Sequence, residues 1–425
     1  SIAASIERTM SLALDFSQAV FPSPGCGRPP PIASGIASAD RLDLWVRDSS
    51  QPGGWASRNY WLSLPPTYSR WSPQMLVLDF HGFYDTARRE RREDRLAFFV
   101  DQWQLDVVVA EPHGSGDAYS GDSRAWNVDG NGLNTEPGPR GPTCLAPRYN
   151  GDGWNDRCAA SGDRKVRHPH VPCSTRENHR YKCYDSCAGC DSTWGCNFAS
   201  CMDDRSLVES LFRRLSATLC IDLEAVHLTG ISAGGLMAYQ AALDFSDLVA
   251  SAAPVAGSRI WGYNRAPRHP VSLLDLHGFD DVYVPANASN GFGGAPDGAT
   301  TSHDRFFYHE VPAITRQFAR AAGCNLTANR PHPTKFDGLR RLSCNEPHGA
   351  CASGASVVQC VGEWGHTWPL HHLHPFAYAD LVLGFFSRHP KARGMHGASF
   401  PPAWLLGEDE GEGQGEGEGE GAAVR

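Results

Sequence analysis

Apolar runs alternate with helix-like patterns along most of the chain. The runs over 74–81 and 105–111 are apolar almost throughout, which is typical of strands buried on both faces of a parallel sheet. A helix is predicted between them over 88–104, and leucines at every fourth position from 207 to 219 indicate an amphipathic helix. Further strands are predicted at 41–48, 58–64, 225–231, 248–256, 271–277 and 356–361, and further helices at 236–245, 305–322 and 377–388. This alternation indicates an α/β domain with a mostly parallel sheet and helices on both of its faces.

Three stretches break the alternation and set the predicted domain boundaries. Residues 1–40 are rich in Pro, Gly and Ala and are predicted to be an N-terminal extension. Residues 114–202 hold eight cysteines among Gly, Asn, Asp and Pro, and because a structureless loop of that length is improbable in a compact domain, we predict a cross-linked inserted subdomain. Residues 396–425 end in an acidic Gly/Glu repeat that cannot bury apolar surface and is predicted to be disordered. The main domain is therefore predicted to run over 41–395, with the insertion inside it.

The charge of the chain and the length of its apolar runs exclude a nucleic-acid partner and a membrane span. The formal net charge is -9, and the segment 407–425 alone contains seven acidic residues and one arginine. Because nucleic-acid binding needs a basic face, no nucleic-acid partner is expected. No uncharged apolar run reaches the length of about 18 residues that a membrane span requires.

The cysteines indicate an oxidising compartment. The chain has 14 cysteines, an even number, and two N-glycosylation sequons that begin at Asn287 and Asn325. Together these features predict a secreted, extracellular protein. We expect four disulfides within the insertion, although its cysteines could instead bind zinc with His168, His170 and His179. In the main domain, Cys26 with Cys220 is a plausible pair.

A calcium site in the insertion is also conceivable, because acidic and amide side chains occur there in Gly-rich stretches. These side chains, which fit no full EF-hand pattern, are Asp129, Asn131, Asp152 and Asp156. Solvated turns are the better interpretation, so no metal and no cofactor are predicted.

The segment Gly230-Ile231-Ser232-Ala233-Gly234 follows an apolar strand and precedes a helix. This is the context of a nucleophile elbow, a sharp strand-to-helix turn that exposes a strained serine. The alternative is a Gly-rich turn with an ordinary serine. A serine needs a base and the base needs an orienting acid, which follow in the order acid, then histidine, in this type of site. Asp280 or Asp281 after one strand and His366 after the last strand meet that order.

Ester attack produces an oxyanion, which backbone N–H groups must stabilise. One donor is expected from Ala233, directly after the serine. The other is expected from the segment His81-Gly82-Phe83-Tyr84 after an early strand, with Phe83 as first choice and Tyr84 as second. The same segment is also a strand-terminating turn, and both interpretations can hold together.

Short motifs in this order resemble those of the extracellular poly(3-hydroxybutyrate) depolymerase and feruloyl esterase family of α/β-hydrolases. They are Gly25-Cys26-Gly27, the His81-Gly82 turn, Trp126-Asn127, Asp203-Asp204, GISAGG at 230–235, APVAG at 253–257, HGFDDVYVP at 277–285 and GHTWP at 365–369. The resemblance implies the α/β-hydrolase fold. It also implies that the aspartate four residues before Pro285 is the acid, which selects Asp281 over Asp280. The chain departs from the family by having Ala233 where asparagine is frequent, and by its long insertion.

These features together predict a secreted serine carboxyl-ester hydrolase that acts through an acyl-serine intermediate. Its substrates are expected to be feruloyl-type or polyhydroxyalkanoate-type esters. Tyr84, Trp126, Trp364 and Trp368 are the expected substrate contacts, although core packing is at least as good an interpretation of Trp364 and Trp368. The insertion is expected to form a wall or lid of the cleft, with a distant surface decoration as the alternative. A different class of function, a catalytically inactive secreted binding protein on a hydrolase scaffold, remains as the other hypothesis.

Overall fold

The structure is a computed structural model that describes most of the main domain. The described residues are 20–48, 54–116, 124–128, 203–261, 264–287, 297–303, 307–327, 330–331, 342–369, 377–392, 395–396 and 399–406. Most of the insertion and the segment 407–425 lie outside these ranges, and with them the predicted insertion disulfides, the zinc and calcium alternatives and the predicted lid.

Fourteen strands occur in the described residues, and most coincide with a predicted apolar run. They are β1 (Asp40–Arg47), β2 (Trp55–Ser63), β3 (Gln74–Phe80), β4 (Val107–Pro112), β5 (Ser115–Gly116), β6 (Arg124–Ala125), β7 (Ile221–Ile231), β8 (Ser251–Val255), β9 (Ser272–Gly278), β10 (Ala299–Thr301), β11 (Phe307–His309), β12 (Arg330–Pro331), β13 (Leu342–Glu346) and β14 (Val357–Gly362).

Ten of these strands form one sheet in the order β1-β2-β4-β3-β7-β8-β9-β14-β13-β12. The six strands from β4 to β14 in this order run parallel to their neighbours, and the pairs at both edges are antiparallel. The chain visits the parallel strands in spatial order except for the exchange of β3 and β4. This is the sheet of the α/β-hydrolase fold, as predicted, and it brings the carboxyl ends of β3, β7, β9 and β14 to one edge.

Seven α-helices accompany the sheet in the described part of the chain. They are α1 (Ala87–Glu93), α2 (Leu96–Gln102), α3 (Asp204–Thr218), α4 (Ala233–Asp244), α5 (Val311–Ala321), α6 (Ala377–Arg388) and α7 (Ala403–Leu406). The helix predicted over 88–104 is in fact two helices, because Arg95 has a left-handed φ of 59° that interrupts the helical path.

Helices cover both faces of the sheet, because alternate residues of each strand point to opposite sides. On β3, Leu76 and Leu78 pack with residues of α3, α4 and α5, whereas Val77 packs with residues of α2 and α6. Both groups are almost free of solvent exposure. The two apolar layers hold the sheet rigidly between the helices, which fixes the positions of the strand ends.

Three disulfides connect the cysteines of the described part. They are Cys26–Cys220, which confirms the predicted pair, Cys324–Cys351 and Cys344–Cys360. The last of these joins β13 to β14. The strand β13 was not predicted, because its sequence LSCNE lacks the apolar pattern of a buried strand.

Part of the predicted N-terminal extension is attached to the main domain. Ser23 donates its backbone N–H to Ile221 and its hydroxyl to the carbonyl of Leu219. Gly25 approaches Leu219 so closely that a Cβ there would overlap its backbone. The disulfide at Cys26 lies in the same contact. Among the helices that the structure describes, none has the length and apolar character needed to cross a membrane.

Candidate active site

Ser232 lies at the sharp turn between β7 and α4. Its backbone has φ 57° and ψ −121°, a conformation that costs energy for a residue with a side chain. The glycines on either side permit the turn, because a Cβ on Gly230 or Gly234 would overlap the carbonyl oxygen of Phe80. The turn therefore holds the serine side chain at the carboxyl edge of the sheet, where it is partly exposed.

Three side chains meet at this edge in one chain of hydrogen bonds. Ser232 Oγ is 2.8 Å from Nε2 of His366. On the other side of the imidazole, Nδ1 lies 2.8 Å from Oδ2 of Asp281. Because a carboxylate can only accept, Nδ1 carries a proton and Nε2 of the neutral ring is free to accept the proton of the serine hydroxyl. The structure thus brings the predicted serine, acid and histidine together.

The carboxylate of Asp281 is fully buried and has a hydrogen-bond partner on each oxygen. Its Oδ1 accepts the backbone N–H groups of Tyr283 and Val284, both at 2.9 Å. Its Oδ2 is therefore left to face His366. Asp280 is instead exposed, and it donates its backbone N–H to the carbonyl of Trp364.

Two glycines bring the loops of the acid and the histidine together. Gly278 and Gly362 pair at the ends of the parallel strands β9 and β14. A Cβ on Gly278 would overlap the carbonyl oxygen of Trp364, and a Cβ on Gly362 would overlap the indole ring of the same tryptophan. The N–H groups of Phe279 and Asp280 then bond to the carbonyls of Gly362 and Trp364. The loops are joined residue by residue, so the distance between acid and histidine is fixed.

The two segments that were predicted to supply the oxyanion donors both contact the turn at Ser232. Ala233 is the first residue of α4, where backbone N–H groups have no partner inside the helix and the positive end of the helix dipole is located. Gly82 lies against the turn, because a Cβ added to it would be 3.7 Å from Cβ of Ser232. Of the next two residues, Phe83 is half-buried and Tyr84 is exposed, with a left-handed φ of 65°.

No family model matches the chain. An 89-residue segment is 29% identical to a bifunctional acetylxylan esterase/xylanase of Neocallimastix patriciarum, covering 21% of this chain and 13% of that protein. A segment of the same length is 27% identical to a probable feruloyl esterase C of Aspergillus clavatus, covering 21% of this chain and 32% of that protein. The chain resembles carboxylic-ester hydrolases. The match spans less than a third of the length of either relative.

Among solved structures, an acetyl xylan esterase from Aspergillus awamori superimposes with a TM-score of 0.41 at 13% sequence identity. The superposition covers 82% of this chain and 99% of that one.

The loop after β3, which contacts the turn at Ser232, is held in place by the side chains of His81 and Trp126. His81 accepts the N–H of Gly114 at Nε2 (2.9 Å), so its Nδ1 carries the proton that bonds to the carbonyl of Gly82 (2.8 Å). The indole of Trp126 donates to the carbonyl of His81 at 2.7 Å. Trp126 has no exposed surface, and its ring packs edge-on against Phe80. The structure therefore corrects the prediction that Trp126 contacts substrate: its place is in the core beneath the loop.

The two tryptophans beside His366 are also core residues, at 9% and 4% exposure. Trp364 lies across Gly362, and Trp368 packs on Tyr378 at a ring separation of 4.4 Å. Of the two interpretations of Trp364 and Trp368, the structure favours core packing, because Trp364 covers a strand-end glycine and Trp368 packs on a buried tyrosine.

The aromatic surface at the site comes instead from a loop that the sequence did not single out for this role. Phe279 and Tyr283 are 57% and 45% exposed, and the ring of Tyr283 lies 5.4 Å from that of His366. Tyr84, which was predicted to contact substrate, is exposed as well. The sequence HGFDDVYVP could have indicated this exposed aromatic loop, since its apolar residues follow a strand end and cannot all be in the core.

Within the described ranges, no group of three or more His, Cys, Asp or Glu side chains is arranged to hold a metal ion.

Proposed function

We propose that this chain is a secreted serine carboxyl-ester hydrolase. The observation that carries the proposal is the continuous hydrogen-bond chain from Ser232 through His366 to Asp281, with the serine on a strained elbow. Structural serines do not need a buried acid behind the histidine that they contact. The names of the two sequence relatives, an acetylxylan esterase and a feruloyl esterase, support the same reaction class.

In the first half of the reaction, Nε2 of His366 takes the proton of Ser232 as Oγ attacks the ester carbonyl carbon. The buried carboxylate of Asp281 stabilises the imidazolium that forms. The N–H of Ala233 and an N–H of the loop after β3, with Phe83 as first choice, receive the oxyanion. When the tetrahedral intermediate collapses, the carbon–oxygen bond to the alcohol breaks, and His366 returns the proton to the leaving oxygen.

The second half repeats these steps with water in place of the serine. His366 takes a proton from a water molecule, whose oxygen attacks the carbonyl of the acyl-serine. The bond to Ser232 Oγ then breaks, Oγ recovers the proton from His366, and the carboxylic acid leaves. No step calls for a cofactor.

The substrates that we propose are feruloyl-type or polyhydroxyalkanoate-type esters. The exposed ring of Tyr283 lies 5.4 Å from that of His366, and two further exposed rings, Tyr84 and Phe279, lie on the loops after β3 and β9. These rings offer apolar surface to an aromatic or polyester group. The name of one relative, a feruloyl esterase, favours the aromatic acid.

Secretion is supported by the cross-links and by one sequon. Three disulfides are typical of an oxidising compartment. Asn325 is exposed, and its side-chain oxygen accepts bonds from the N–H and hydroxyl of Thr327, so this sequon is open to a modifying enzyme.

Labelling with a fluorophosphonate probe tests the proposal. The probe reacts with serines activated by a histidine. Ser232 Oγ of the wild-type protein should displace fluoride and gain the mass of the phosphonyl group, and Ser232→Ala should not be labelled. A folded wild-type protein without label would favour the inactive binding protein over the enzyme.

A further inference from the structure

A second acid–histidine pair lies directly beneath the first. His277 and Asp275 are two positions apart on β9, so their side chains share one face of the sheet. Both are fully buried. Nδ1 of His277 lies 3.1 Å from each carboxylate oxygen of Asp275, and Nε2 lies 3.1 Å from the carbonyl oxygen of Val284.

The partners of His277 determine where its protons are. A backbone carbonyl can only accept a hydrogen bond, so Nε2 must carry a proton, and the carboxylate requires a proton on Nδ1. Burial alone would lower the pKa of His277, but the carboxylates of Asp275 and Asp281 raise it above its ordinary value. His277 is therefore a buried imidazolium, paired with the carboxylate of Asp275.

The other charged and titratable groups of this pocket are consistent with that assignment. On α4, the hydroxyl of Tyr239 donates to Oδ1 of Asp275 at 2.7 Å. Burial and the charge of Asp275 raise the pKa of Tyr239 well above its ordinary value, against the opposing effect of Arg259, so the hydroxyl keeps its proton. Asp275 thus receives donors from two sides, from Tyr239 and from His277.

Val284 links this pair to the acid of the candidate triad. Its carbonyl oxygen accepts from His277, and its backbone N–H donates to Oδ1 of Asp281. The turn over 281–284 is thereby held at both ends: by its own N–H groups on Asp281 and by the buried imidazolium. A shift of Val284 would move the backbone N–H that fixes the orientation of the Asp281 carboxylate.

We propose that His277, held by Asp275, is a positioning residue that fixes the Asp281 turn and places a positive charge behind the triad acid. This inference rests on the proposed function, because it assigns His277 a role in the same reaction. It has two consequences. The geometry affects turnover, and the charge offsets the negative charge of Asp281.

The variant His277→Gln separates these consequences from a merely structural role. Glutamine can still donate one hydrogen bond but carries no charge. We expect kcat for p-nitrophenyl acetate to fall about 10- to 100-fold, because small displacements of a catalytic group have effects of that size. We also expect the acid limb of the kcat/KM profile to move to higher pH by about half a unit or more, because loss of a nearby positive charge favours the protonated triad.

His227→Gln is the matched control. His227 is equally buried, on β7. Its Nδ1 is hydrogen-bonded to Oγ of Ser251 at 2.7 Å and its ring stacks on Phe386, and neither partner belongs to the triad. This variant should lose stability but keep the acid limb in place. An acid limb that does not move in His277→Gln, or moves equally in His227→Gln, would overturn the proposal.

A measurement on the wild-type protein removes the dependence on a folded variant. In ¹⁵N-histidine NMR spectra, His277, assigned through nuclear Overhauser effects to Val284, should show both ring nitrogens protonated at pH 7. A neutral His277 with one N–H would contradict the assignment, whether or not the protein is an esterase. If the wild type is not labelled by a fluorophosphonate, the proposed function fails on its own and the two failures remain distinct.

Discussion

Gly278 and Gly362 lie side by side at the ends of β9 and β14, and Trp364 fills the space that a side chain on either would need. The acid follows the first of these glycines and the histidine follows the second. The acid and the histidine are 85 residues apart in sequence. The hydrogen bond between them therefore depends on two glycines that take no part in the reaction.

Gly278→Ala should disrupt the candidate site without touching any reacting group. The new methyl group would overlap the carbonyl of Trp364 and push the two loops apart. We expect kcat to fall about 100-fold and stability to fall by about 1–3 kcal/mol. Steady-state kinetics and urea unfolding check both values.

Gly365→Ala is the control for this change, because a Cβ there would lie 3.7 Å from its nearest neighbour, an ordinary contact. Comparable losses in both variants would show that the close approach at Gly278 is not what holds the loops.

The aromatic loop beside His366 should determine how well bulky esters bind. Tyr283→Ala removes an exposed ring 5.4 Å from the imidazole. We expect KM for methyl ferulate to rise about 5-fold, from the loss of about 1 kcal/mol of stacking, while p-nitrophenyl acetate is little affected. Trp71→Ala removes a more exposed ring before β3, at the opposite edge of the sheet, and should change neither. Equal effects of Tyr283→Ala on both esters would place the ring outside the acyl-binding surface.

A group of buried carboxyl groups should make the fold less stable as the pH rises. Burial raises the pKa of Glu90 well above its ordinary value, with a further contribution from Asp94. Burial also raises the pKa of Glu111 to about 8, against the lowering effect of Arg91. A carboxyl group whose pKa is higher in the folded state contributes stability that is complete below the unfolded pKa, about 4.3, and is lost as the pH rises through the folded value.

Urea unfolding should therefore give a free energy that decreases from pH 5 to pH 8. Glu90→Gln should flatten this dependence, because the amide has no proton to lose. Glu93→Gln, on the more exposed side of the same helix, should leave it unchanged. A stability that increases over this range would be incompatible with neutral carboxyl groups in the folded state.

The disulfide between Cys26 and Cys220 should be the most stabilising of the three described. It closes a loop of 194 residues, whereas Cys344–Cys360 closes one of 16. In the chain-entropy account, removing the first by a double serine substitution should cost about 5 kcal/mol and removing the second about 3 kcal/mol. Unfolding free energies in urea give the two values, and the reverse order would show that native contacts, not loop closure, dominate.

Much of the fold and the site could be predicted because the deciding residues are local. Ser232, Asp281 and His366 each follow a strand whose apolar run is visible in the sequence, and parallel strands end at one edge. In the sheet, β4 lies between β2 and β3, and nothing in the sequence of either β3 or β4 indicates this order. The break at Arg95 depends on one left-handed residue inside an otherwise helical pattern.

The predictions that needed side-chain contacts were less successful. An exposed and a buried tryptophan have the same sequence signal, so Trp126 could not be assigned to the core before the contact with His81 was known. The role of His277 depends on its hydrogen bond to the carbonyl of Val284, seven residues later in the chain. Such contacts follow from how loops close, which spacing along the chain does not specify.

The hydrolysis of p-nitrophenyl acetate by triad variants tests the central claim most directly. Ser232→Ala, His366→Ala and the double variant should each lose about the same large factor, of order 10⁴ to 10⁶ in kcat, because residues that act as a unit have non-additive effects. All three should stay folded by circular dichroism. Full activity in folded Ser232→Ala, or losses that multiply in the double variant, would contradict the account.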